Sequence, residues 1–206
     1  MVVIVDYGVG NLFSLVSSFR SIGVEAVASG DKEMIENATH VVLPGVGAFG
    51  DAAEKLFSSG LADVVKARAE AGVPVLGICL GMQLLFEKSF EFGEYAGLCL
   101  IGGEIRPIAD IIGDGLKIPH IGWNALRFCG EKNPLFKYVE EGEHVYFVHS
   151  YYGAKCDDVI ATAEYGAPLT AAVARGNVYG CQFHPEKSGN TGLNILRAFC
   201  ELGRQV

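Results

Sequence analysis

The sequence predicts an α/β protein with a doubly wound, mostly parallel sheet that has helices on both faces. Short apolar runs alternate with helical stretches through the first half of the chain, and this alternation is typical of βαβ units. The runs carry no polar alternation, as expected for strands that are buried on both faces. After Gly97 the sequence changes to strand-like segments separated by glycine-rich turns, which predicts additional antiparallel strands in the C-terminal half.

The periodicity of the first half defines its strands and helices. The predicted strands are Val2–Val5, Val24–Ala28, His40–Leu43 and Val73–Ile78. The predicted helices are Asn11–Ile22, Asp31–Ala38, Ala48–Ser58, Leu61–Ala71 and Met82–Lys88. In the first helix, Leu12, Leu15 and Phe19 recur at the spacing of an amphipathic helix. Ligands of such sheets bind beyond the carboxyl ends of the strands, so that edge is where a site is expected.

The second half is predicted to be richer in strands. They cover Leu98–Ile105, Leu116–Phe128, His144–Tyr152, Val159–Tyr165, Leu169–Ala174 and Val178–Phe183. A final amphipathic helix follows Ser188, with Leu193, Leu196 and Phe199 at helical spacing. The sequence contains no Pro- or Ser-rich linker, no repeat and no low-complexity segment. We therefore expect one domain that covers residues 1–206.

Composition excludes several classes of protein. Half of the 206 residues are hydrophobic and 19% are charged, which excludes a disordered chain. The net charge of −8 and the pI near 5.1 argue against nucleic-acid binding, which usually needs a basic surface. No apolar run reaches the length of a membrane span, and the first residues lack the features of a signal peptide. A cytoplasmic protein without membrane contact is expected.

Six cysteines are scattered through the chain without CxxC spacing, so neither a metal site nor a disulfide framework is predicted. Cys79 differs from the others because it is the centre of Gly77–Gly81, a Gly-x-Cys-x-Gly segment between a predicted strand and a predicted helix. This is the arrangement of a nucleophile elbow, in which a sharp turn presents the central side chain above the sheet. The amides that begin the next helix favour negative charge on the sulfur. A lone cysteine would otherwise be expected to be a buried, structural residue.

A cysteine nucleophile needs a base within hydrogen-bonding reach, and the base needs a group that orients it. His184 directly follows the last predicted strand, so we expect it at the same sheet edge as Cys79. Glu186 stands two residues later, where its carboxylate can hold the imidazole tautomer. For an isolated His-Pro-Glu segment, a turn-capping role would be equally acceptable. The other histidines are expected to be exposed, structural or supporting residues: His40, His120, His144 and His149.

An acyl-transfer site also requires hydrogen-bond donors for the oxyanion. The amide of Leu80 is the donor expected from the elbow, and the Gly45–Gly47 loop after the third strand is the expected source of a second. The alternative interpretation of that loop is an ordinary Pro-Gly turn. Gly8–Asn11 also contains a Gly-x-Gly sequence, but Phe13 occupies the place of the third glycine of a dinucleotide fingerprint, so no nucleotide site is predicted.

Several motifs resemble those of a known family. Class I, triad-type glutamine amidotransferases are similar to this chain at Leu43–Phe49, Gly77–Gln83 and Phe183–Ser188. Within that class, the glutaminase subunits of imidazole glycerol phosphate synthases, which belong to histidine biosynthesis, are similar at Asp6–Asn11, His120–Asn124 and Tyr146–Tyr151. These motifs occur in the right order along nearly the whole chain, and no triad position departs from the family pattern.

The resemblance implies hydrolysis of glutamine to glutamate and ammonia without a cofactor. Cys79 would attack the side-chain carboxamide, His184 would transfer protons, and Glu186 would orient His184. The oxyanion would rest on the amides of Leu80 and, after a loop rearrangement, Val46. The residues implied in binding the amino and carboxylate ends of glutamine are Gly45, Gly47, Gln83, Ser150 and Tyr151.

The resemblance also implies a partner. Ammonia released into water near neutral pH is mostly protonated and no longer nucleophilic, so it must pass directly to a second active site. That site would belong to a (β/α)₈-barrel cyclase subunit, joined in a heterodimer, which forms imidazole glycerol phosphate and an aminoimidazole carboxamide ribotide. The implied contact residues are Val9, Asn11, Ser14, Trp123, Tyr146 and Lys187. Trp123 is the single tryptophan, and it is expected either as an exposed anchor or as a core residue.

Two alternative functions fit parts of the pattern. A stand-alone cysteine hydrolase, such as a γ-glutamyl hydrolase or a small peptidase, would have the same elbow; the continuation to Gln83 favours a free amino acid as substrate instead. A catalytically silent binding module of the same fold is the second alternative. The intact set of Cys79, His184 and Glu186 argues against it.

Overall fold

A computed structural model describes residues 1–113 and 115–203 of the chain. The strands are, in chain order, β1 (Val2–Val5), β2 (Ala26–Ser29), β3 (His40–Leu43), β4 (Val75–Ile78), β5 (Lys88–Ser89), β6 (Tyr95–Ala96), β7 (Glu104–Pro107), β8 (His120–Ala125), β9 (Arg127–Phe128), β10 (His144–His149), β11 (Tyr151–Ala154), β12 (Val159–Glu164), β13 (Pro168–Arg175) and β14 (Val178–Cys181). The α-helices are α1 (Leu12–Ser21), α2 (Lys32–Glu36), α3 (Phe49–Ser58), α4 (Leu61–Glu70), α5 (Leu80–Leu84) and α6 (Gly189–Glu201). Short 3₁₀ turns cover Ile108–Asp110, Pro134–Phe136 and Pro185–Lys187.

The central sheet has eight strands in the order β2-β1-β3-β4-β14-β13-β12-β9. The first five in this order are parallel neighbours, whereas β13, β12 and β9 continue the sheet antiparallel. The predicted fold class is therefore confirmed. The parallel pairing of β14 with β4 places Cys181 opposite Ile78, so the chain leaves both strands at the same edge of the sheet.

The apolar core lies on both faces of this sheet because successive side chains of a strand point to opposite faces. In β1, Val3 and Val5 belong to an apolar cluster that includes residues of α2, α3, α4 and α5. Val2 and Ile4 belong to a second cluster that includes residues of α1 and α6. Helices thus cover both faces. Among the described residues, no helix combines the length and the apolar character that crossing a bilayer requires.

Two smaller sheets flank the central one, with the strand orders β10-β8 and β11-β7-β5-β6. The single strand predicted over His144–Tyr152 is wrong in one respect, because the chain breaks at Ser150. The part before the break, β10, pairs with β8, and the part after it, β11, pairs with β7. The predicted strand Leu116–Phe128 is likewise interrupted, and its regular part begins only at His120.

The strand predicted over Leu98–Ile105 is wrong for most of its length, since only its last two residues lie in β7. The backbone amide of Leu98 instead donates to the carbonyl of Leu84 at 2.8 Å. This segment therefore satisfies carbonyl groups at the C-terminal end of α5, which lack partners inside the helix. The elbow helix, predicted over Met82–Lys88, covers Leu80–Leu84 in the structure. The other predicted helices agree closely with the structure.

Helix α6 begins directly after the 3₁₀ turn Pro185–Lys187 and packs against it. Gly192, in the first turns of α6, lies so close to Pro185 that an added Cβ atom would overlap the Pro185 carbonyl oxygen. The neighbouring residue Glu186 is part of the predicted triad. Close packing of α6 on this turn therefore depends on the absence of a side chain at residue 192.

Gly192→Ala is expected to lower the free energy of unfolding by about 1–3 kcal/mol, the usual cost of forcing extra atoms into a packed contact. Urea denaturation measures this change. Asn190→Ala, at an exposed position of the same helix, serves as the control and should stay within about 0.5 kcal/mol of the wild type. If Gly192→Ala were as stable as the control, the packing argument would be wrong.

Candidate active site

Cys79 stands between β4 and α5 with a φ of 55° and a ψ of −112°. A positive φ is costly for a residue with a side chain, and two hydrogen bonds hold it here. The Cys79 amide donates to the Cys181 carbonyl at 2.7 Å, and the Gln83 amide donates to the Cys79 carbonyl at 3.2 Å. The sharp strand-to-helix turn predicted from the sequence is therefore present, with Cys79 at its centre.

The glycines on either side of Cys79 are required by packing. A Cβ atom on Gly77 would lie 2.6 Å from the carbonyl oxygen of Gly81. A Cβ atom on Gly81 would overlap the carbonyl oxygen of Leu43, at the end of β3. Both contacts are closer than van der Waals packing allows. The spacing of the Gly-x-Cys-x-Gly segment thus has the steric origin expected from the sequence.

His184 reaches the same edge because the chain leaves β14 beside β4. The His184 amide donates to the carbonyl of Tyr146 on β10 at 2.9 Å. Nδ1 of His184 lies 2.8 Å from Oε1 of Glu186, and the His184 ring and Cys79 line the same cavity. A carboxylate only accepts, so Nδ1 carries the proton that Glu186 binds and Nε2 is left for the sulfur. The structure brings the three predicted triad residues together in one buried group.

The charges of this group determine the protonation of His184. Burial lowers the pKa of His184, but hydrogen bonds and negative charge from Cys79 and Glu186 outweigh it and raise the pKa to about 10. The side chains of His184 and Glu186 are 4% and 2% exposed, so water screens these charges very little. The Glu186 carboxylate, and the Cys79 sulfur when it is negative, therefore favour the imidazolium form of His184.

A cavity of about 190 Å³ opens beside Cys79. Its lining consists of Val46, Gly47, Cys79, Leu80, Gln83, Glu91, Val148, Tyr151 and His184. Of the residues expected at the substrate, Gly45 and Ser150 are not part of this lining, and their roles stay predictions. A larger cavity of about 500 Å³ lies against α3 and β6, but its lining contains no cysteine or histidine. Of these two cavities, the smaller one contains the predicted triad residues Cys79 and His184.

The loop after β3 contacts the elbow directly. Gly45 is held close, because a Cβ atom there would lie 2.8 Å from the Gly81 amide nitrogen. The Tyr7 hydroxyl donates to the Pro44 carbonyl at 2.7 Å and anchors the start of the loop. Gly47 has a φ of 95° with open space around it. The loop is thus fixed where it meets the elbow and exposed beyond it.

Glu91 is a cavity residue that the sequence analysis missed. It is buried, and its Oε2 accepts a hydrogen bond from the Phe49 amide at 2.7 Å. Burial raises the pKa of Glu91, the Phe49 amide lowers it, and the charge of Asp51 raises it further; the net direction is upward. Glu91 lies in an irregular, glycine-containing segment after β5 with no recognisable motif. Only tertiary structure brings Glu91 into the lining of the cavity that contains Cys79.

Gln83 and Gln182 form a second polar group at the site. Nε2 of Gln83 donates to the Tyr151 carbonyl at 3.3 Å and to Oε1 of Gln182 at 3.0 Å. The nitrogen of Gln83 is therefore engaged within the protein, and its oxygen is the end available to a ligand. Gln182 was not predicted as a site residue. It lies two residues before His184, where the chain bends after the end of β14, and both side chains reach the elbow.

His120 and His149 are buried, as expected of supporting residues. His149 donates from Nδ1 to the Tyr151 carbonyl at 2.8 Å, and its Nε2 lies 3.0 Å from Nδ1 of His120. Burial lowers the pKa of both rings, to about 4 for His149, so both are neutral at pH 7. His40 is buried and His144 is exposed. Within the described residues, no three His, Cys, Asp or Glu side chains are grouped as a metal site requires.

Three of the residues expected at a partner surface are neighbours in space. Trp123 on β8 is 55% exposed, which rules out the interpretation of Trp123 as a core residue. It pairs across the strands with Tyr146, at 6.1 Å between ring centroids. Nζ of Lys187 lies 5.8 Å from the centre of the Tyr146 ring. The amino-terminal candidates Val9, Asn11 and Ser14 are partly or fully exposed.

Comparison with protein families decides between the interpretations of this site. A family model described as "Glutamine amidotransferase class-I" matches residues 3–202. The chain belongs to the class I glutamine amidotransferases. The family membership predicted from the motifs is thus confirmed, and the stand-alone hydrolase and the silent binding module are not favoured.

Relatives of this amidotransferase carry a more specific name. A protein of Wolinella succinogenes is 48% identical over 206 residues, which cover 98% of this chain and all of that protein. One of Lactococcus lactis is 47% identical over 203 residues, which cover 97% of this chain and 98% of that protein. Both are named "Imidazole glycerol phosphate synthase subunit HisH".

Solved structures share the fold of this amidotransferase. One described as "Crystal structure of glutamine amidotransferase" has a TM-score of 0.75 at 21% identity and covers 97% of this chain and all of the other. Another, "Structure of PurLQS from Thermotoga maritima", has a TM-score of 0.71 at 21% identity, with coverages of 97% and 96%. At these identities the likeness concerns the fold alone.

Glu186→Gln is expected to change how stability depends on pH. The pKa of His184 is raised by folding, so the stabilisation from its charge is complete below about pH 6.5 and is lost as the pH rises towards 10. Removing the Glu186 charge lowers this pKa, so His184 loses its proton at lower pH and the decline of unfolding free energy above pH 6.5 becomes shallower.

Urea denaturation between pH 6 and 10, together with NMR titration of the His184 ring, measures this effect. His144→Gln removes an exposed histidine and should leave the profile of the wild type unchanged. A Glu186→Gln variant whose His184 titrates at the wild-type pH would contradict the assigned charge coupling.

Proposed function

We propose that this chain is the glutaminase subunit of an imidazole glycerol phosphate synthase, acting in histidine biosynthesis as one cytoplasmic domain over residues 1–206. The observation that carries the proposal is the buried group of Cys79, His184 and Glu186 beside a small cavity. This group occurs in a chain that shares almost half of its residues with relatives of that name. No cofactor is needed for the chemistry.

The first step is attack of the Cys79 sulfur on the carboxamide carbon of glutamine. The carbonyl oxygen becomes an oxyanion, which the amides of Leu80 and Val46 would stabilise. Leu80 begins α5 and Val46 belongs to the exposed part of the loop after β3, and both line the cavity. Because Gly47 allows inexpensive rotation of this loop, the Val46 amide is the donor that a rearrangement would bring into place.

Proton transfer follows from the charges around His184. While the sulfur is negative, it helps to raise the pKa of His184. Formation of the carbon–sulfur bond removes that charge, so the pKa falls and His184 gives its proton to the departing nitrogen. Ammonia leaves and a γ-glutamyl thioester remains. The neutral ring then takes a proton from water, which attacks the thioester and releases glutamate and the Cys79 sulfur.

Substrate binding is assigned to the remaining groups of the cavity. Glu91 is the one carboxylate among the lining residues, which suits the ammonium end of free glutamine. The side-chain oxygen of Gln83 is a second acceptor for that end. Tyr151 and Gly47 also line the cavity. Gly45 and Ser150 remain predicted contacts through their backbones.

Ammonia would pass to a cyclase subunit docked on the exposed face. We assign this contact to Trp123, Tyr146 and Lys187, with Val9, Asn11 and Ser14 at its margin. The proposed partner is a (β/α)₈ barrel in a heterodimer, which uses ammonia to form imidazole glycerol phosphate and an aminoimidazole carboxamide ribotide. An exposed tryptophan is a frequent anchor of protein interfaces.

Cys79→Ala is expected to abolish synthesis that depends on glutamine while leaving synthesis from added ammonium salts by the same complex intact, because only the first half of the reaction needs the sulfur. Both rates are measured in the complex with the cyclase. Cys99→Ala, which changes an exposed cysteine, is the control and should retain both activities. If Cys79→Ala lost both, the division of labour between the subunits would be wrong.

Glutamine hydrolysis is expected to rise at least about tenfold when the cyclase and its nucleotide substrate are added, because docking completes the oxyanion site through the Gly45–Gly47 loop. Glutamate release is measured for the free subunit and for the complex. Equal rates in the two samples would contradict this coupling.

A further inference from the structure

Gln182 occupies an unusual position for an uncharged polar residue. It follows β14 directly and is completely buried. Its backbone amide donates to the Ala171 carbonyl at 2.8 Å. Phe183 turns into the apolar core with Phe147, while Gln182 and His184 face the elbow. A buried carboxamide is costly unless its groups are bonded, and here one of its partners is the nucleophile.

The contact is made by the amide nitrogen of Gln182. Its Nε2 lies 3.8 Å from Sγ of Cys79, within hydrogen-bonding distance for sulfur. His184 lines the same cavity as Cys79, and the two groups interact electrostatically. The side-chain amide of Gln182 is therefore a neutral donor to a sulfur that also lies close to His184.

The orientation of the Gln182 amide is fixed by a chain of hydrogen bonds. The Tyr151 carbonyl can only accept, so the nitrogen of Gln83 must face it, at 3.3 Å. The same nitrogen donates to Oε1 of Gln182 at 3.0 Å, which leaves Nε2 of Gln182 facing Cys79. Reversing the Gln182 amide would set two donors against each other at Gln83 and an oxygen against the sulfur.

The acceptor at the end of this chain is itself held in place. His149 donates to the same Tyr151 carbonyl at 2.8 Å, and His120 lies 3.0 Å from the other nitrogen of His149. Each of these rings is buried and neutral at pH 7. The carbonyl that orients Gln83, and through it Gln182, is thus fixed by two donors.

We propose that Gln182 is a further catalytic residue, whose side-chain amide donates a hydrogen bond to the Cys79 sulfur and stabilises its negative charge before acylation and again when the thioester is cleaved. This role rests on the proposed function of the site. In the second half of the reaction the carbon–sulfur bond breaks and its electron pair returns to the sulfur. A neutral donor can hydrogen-bond to the sulfur both before acylation and during thioester cleavage, because it does not transfer its proton.

Alkylation of Cys79 by iodoacetamide tests the proposal without glutamine or a partner. Gln182→Met keeps the approximate length of the side chain but removes the donor, and Gln182→Glu keeps its shape but places an acceptor at the sulfur. In both variants the midpoint of the pH dependence of Cys79 alkylation should move upward by about one pH unit, the value expected for loss of a hydrogen bond to a charged group. Peptide mass spectrometry separates Cys79 from the other cysteines.

Gln83→Leu and Thr170→Val complete the set. Gln83→Leu frees the side-chain amide of Gln182 to rotate, so the alkylation midpoint should move upward by less than it does in Gln182→Met. The double variant of Gln83→Leu and Gln182→Met should have the same midpoint as Gln182→Met alone. Thr170→Val removes a buried hydroxyl on β13 whose hydrogen bond goes to Gly153, outside the site, and should leave the midpoint unchanged. Folded Gln182→Met and Gln182→Glu proteins with the wild-type midpoint would overturn the proposal.

A measurement on the unaltered chain covers the case in which these variants do not fold. In ¹⁵N-labelled wild-type protein, alkylation of Cys79 should displace the side-chain amide resonances of Gln182, and unchanged resonances would overturn the proposal. The glutaminase assay of the wild type with its cyclase separates the two ideas. Absence of glutamine hydrolysis there would refute the proposed function, whereas the alkylation result concerns only the contact between Gln182 and Cys79.

Discussion

The parallel pairing of β14 with β4 is the constraint on which the site depends. Cys181 lies opposite Ile78, and the Cys79 amide bonds to the Cys181 carbonyl at 2.7 Å. Cys79 and His184 are far apart in the sequence, yet this register delivers both to one edge of the sheet. A slip of one residue between these strands would move the point where the chain leaves β14, and with it His184, relative to Cys79. The catalytic geometry is therefore a property of the sheet, and the loops only complete it.

The interior of the site balances buried charge against hydrogen bonding. His184 is charged although burial opposes that charge, because it lies between the Cys79 sulfur and Oε1 of Glu186. Oε2 of Glu186 is buried and, among the described residues, accepts no hydrogen bond, so the imidazolium is the main partner of this carboxylate. Burying this carboxylate costs stability. Its negative charge lies beside Nδ1 of His184, where it favours the protonated ring.

Sequence reasoning worked where a chemical role needs a fixed local pattern. The glycines around Cys79 and the segment His184–Glu186 have steric or bonding requirements that can be recognised without coordinates, and the alternating strands and helices defined the sheet. It failed where tertiary contacts decide. Leu98 looked like part of a strand but satisfies a helix end, and Glu91 reaches the cavity from a segment without a motif. Gln182 was also missed, because only the fold brings its side chain to Gln83 and Cys79.

Tyr146 connects the surface with the catalytic site, because its ring lies at the surface and its backbone is hydrogen-bonded to His184. Its ring lies on the surface between Trp123 and Lys187, while its carbonyl holds the backbone amide of His184 at 2.9 Å. Its own amide bonds to the hydroxyl of Ser188 at 3.0 Å. A protein that packs against the Tyr146 ring would therefore contact a residue whose backbone is hydrogen-bonded to His184. A small displacement of Tyr146 at the surface would be transmitted to the proton-transferring residue directly through this bond.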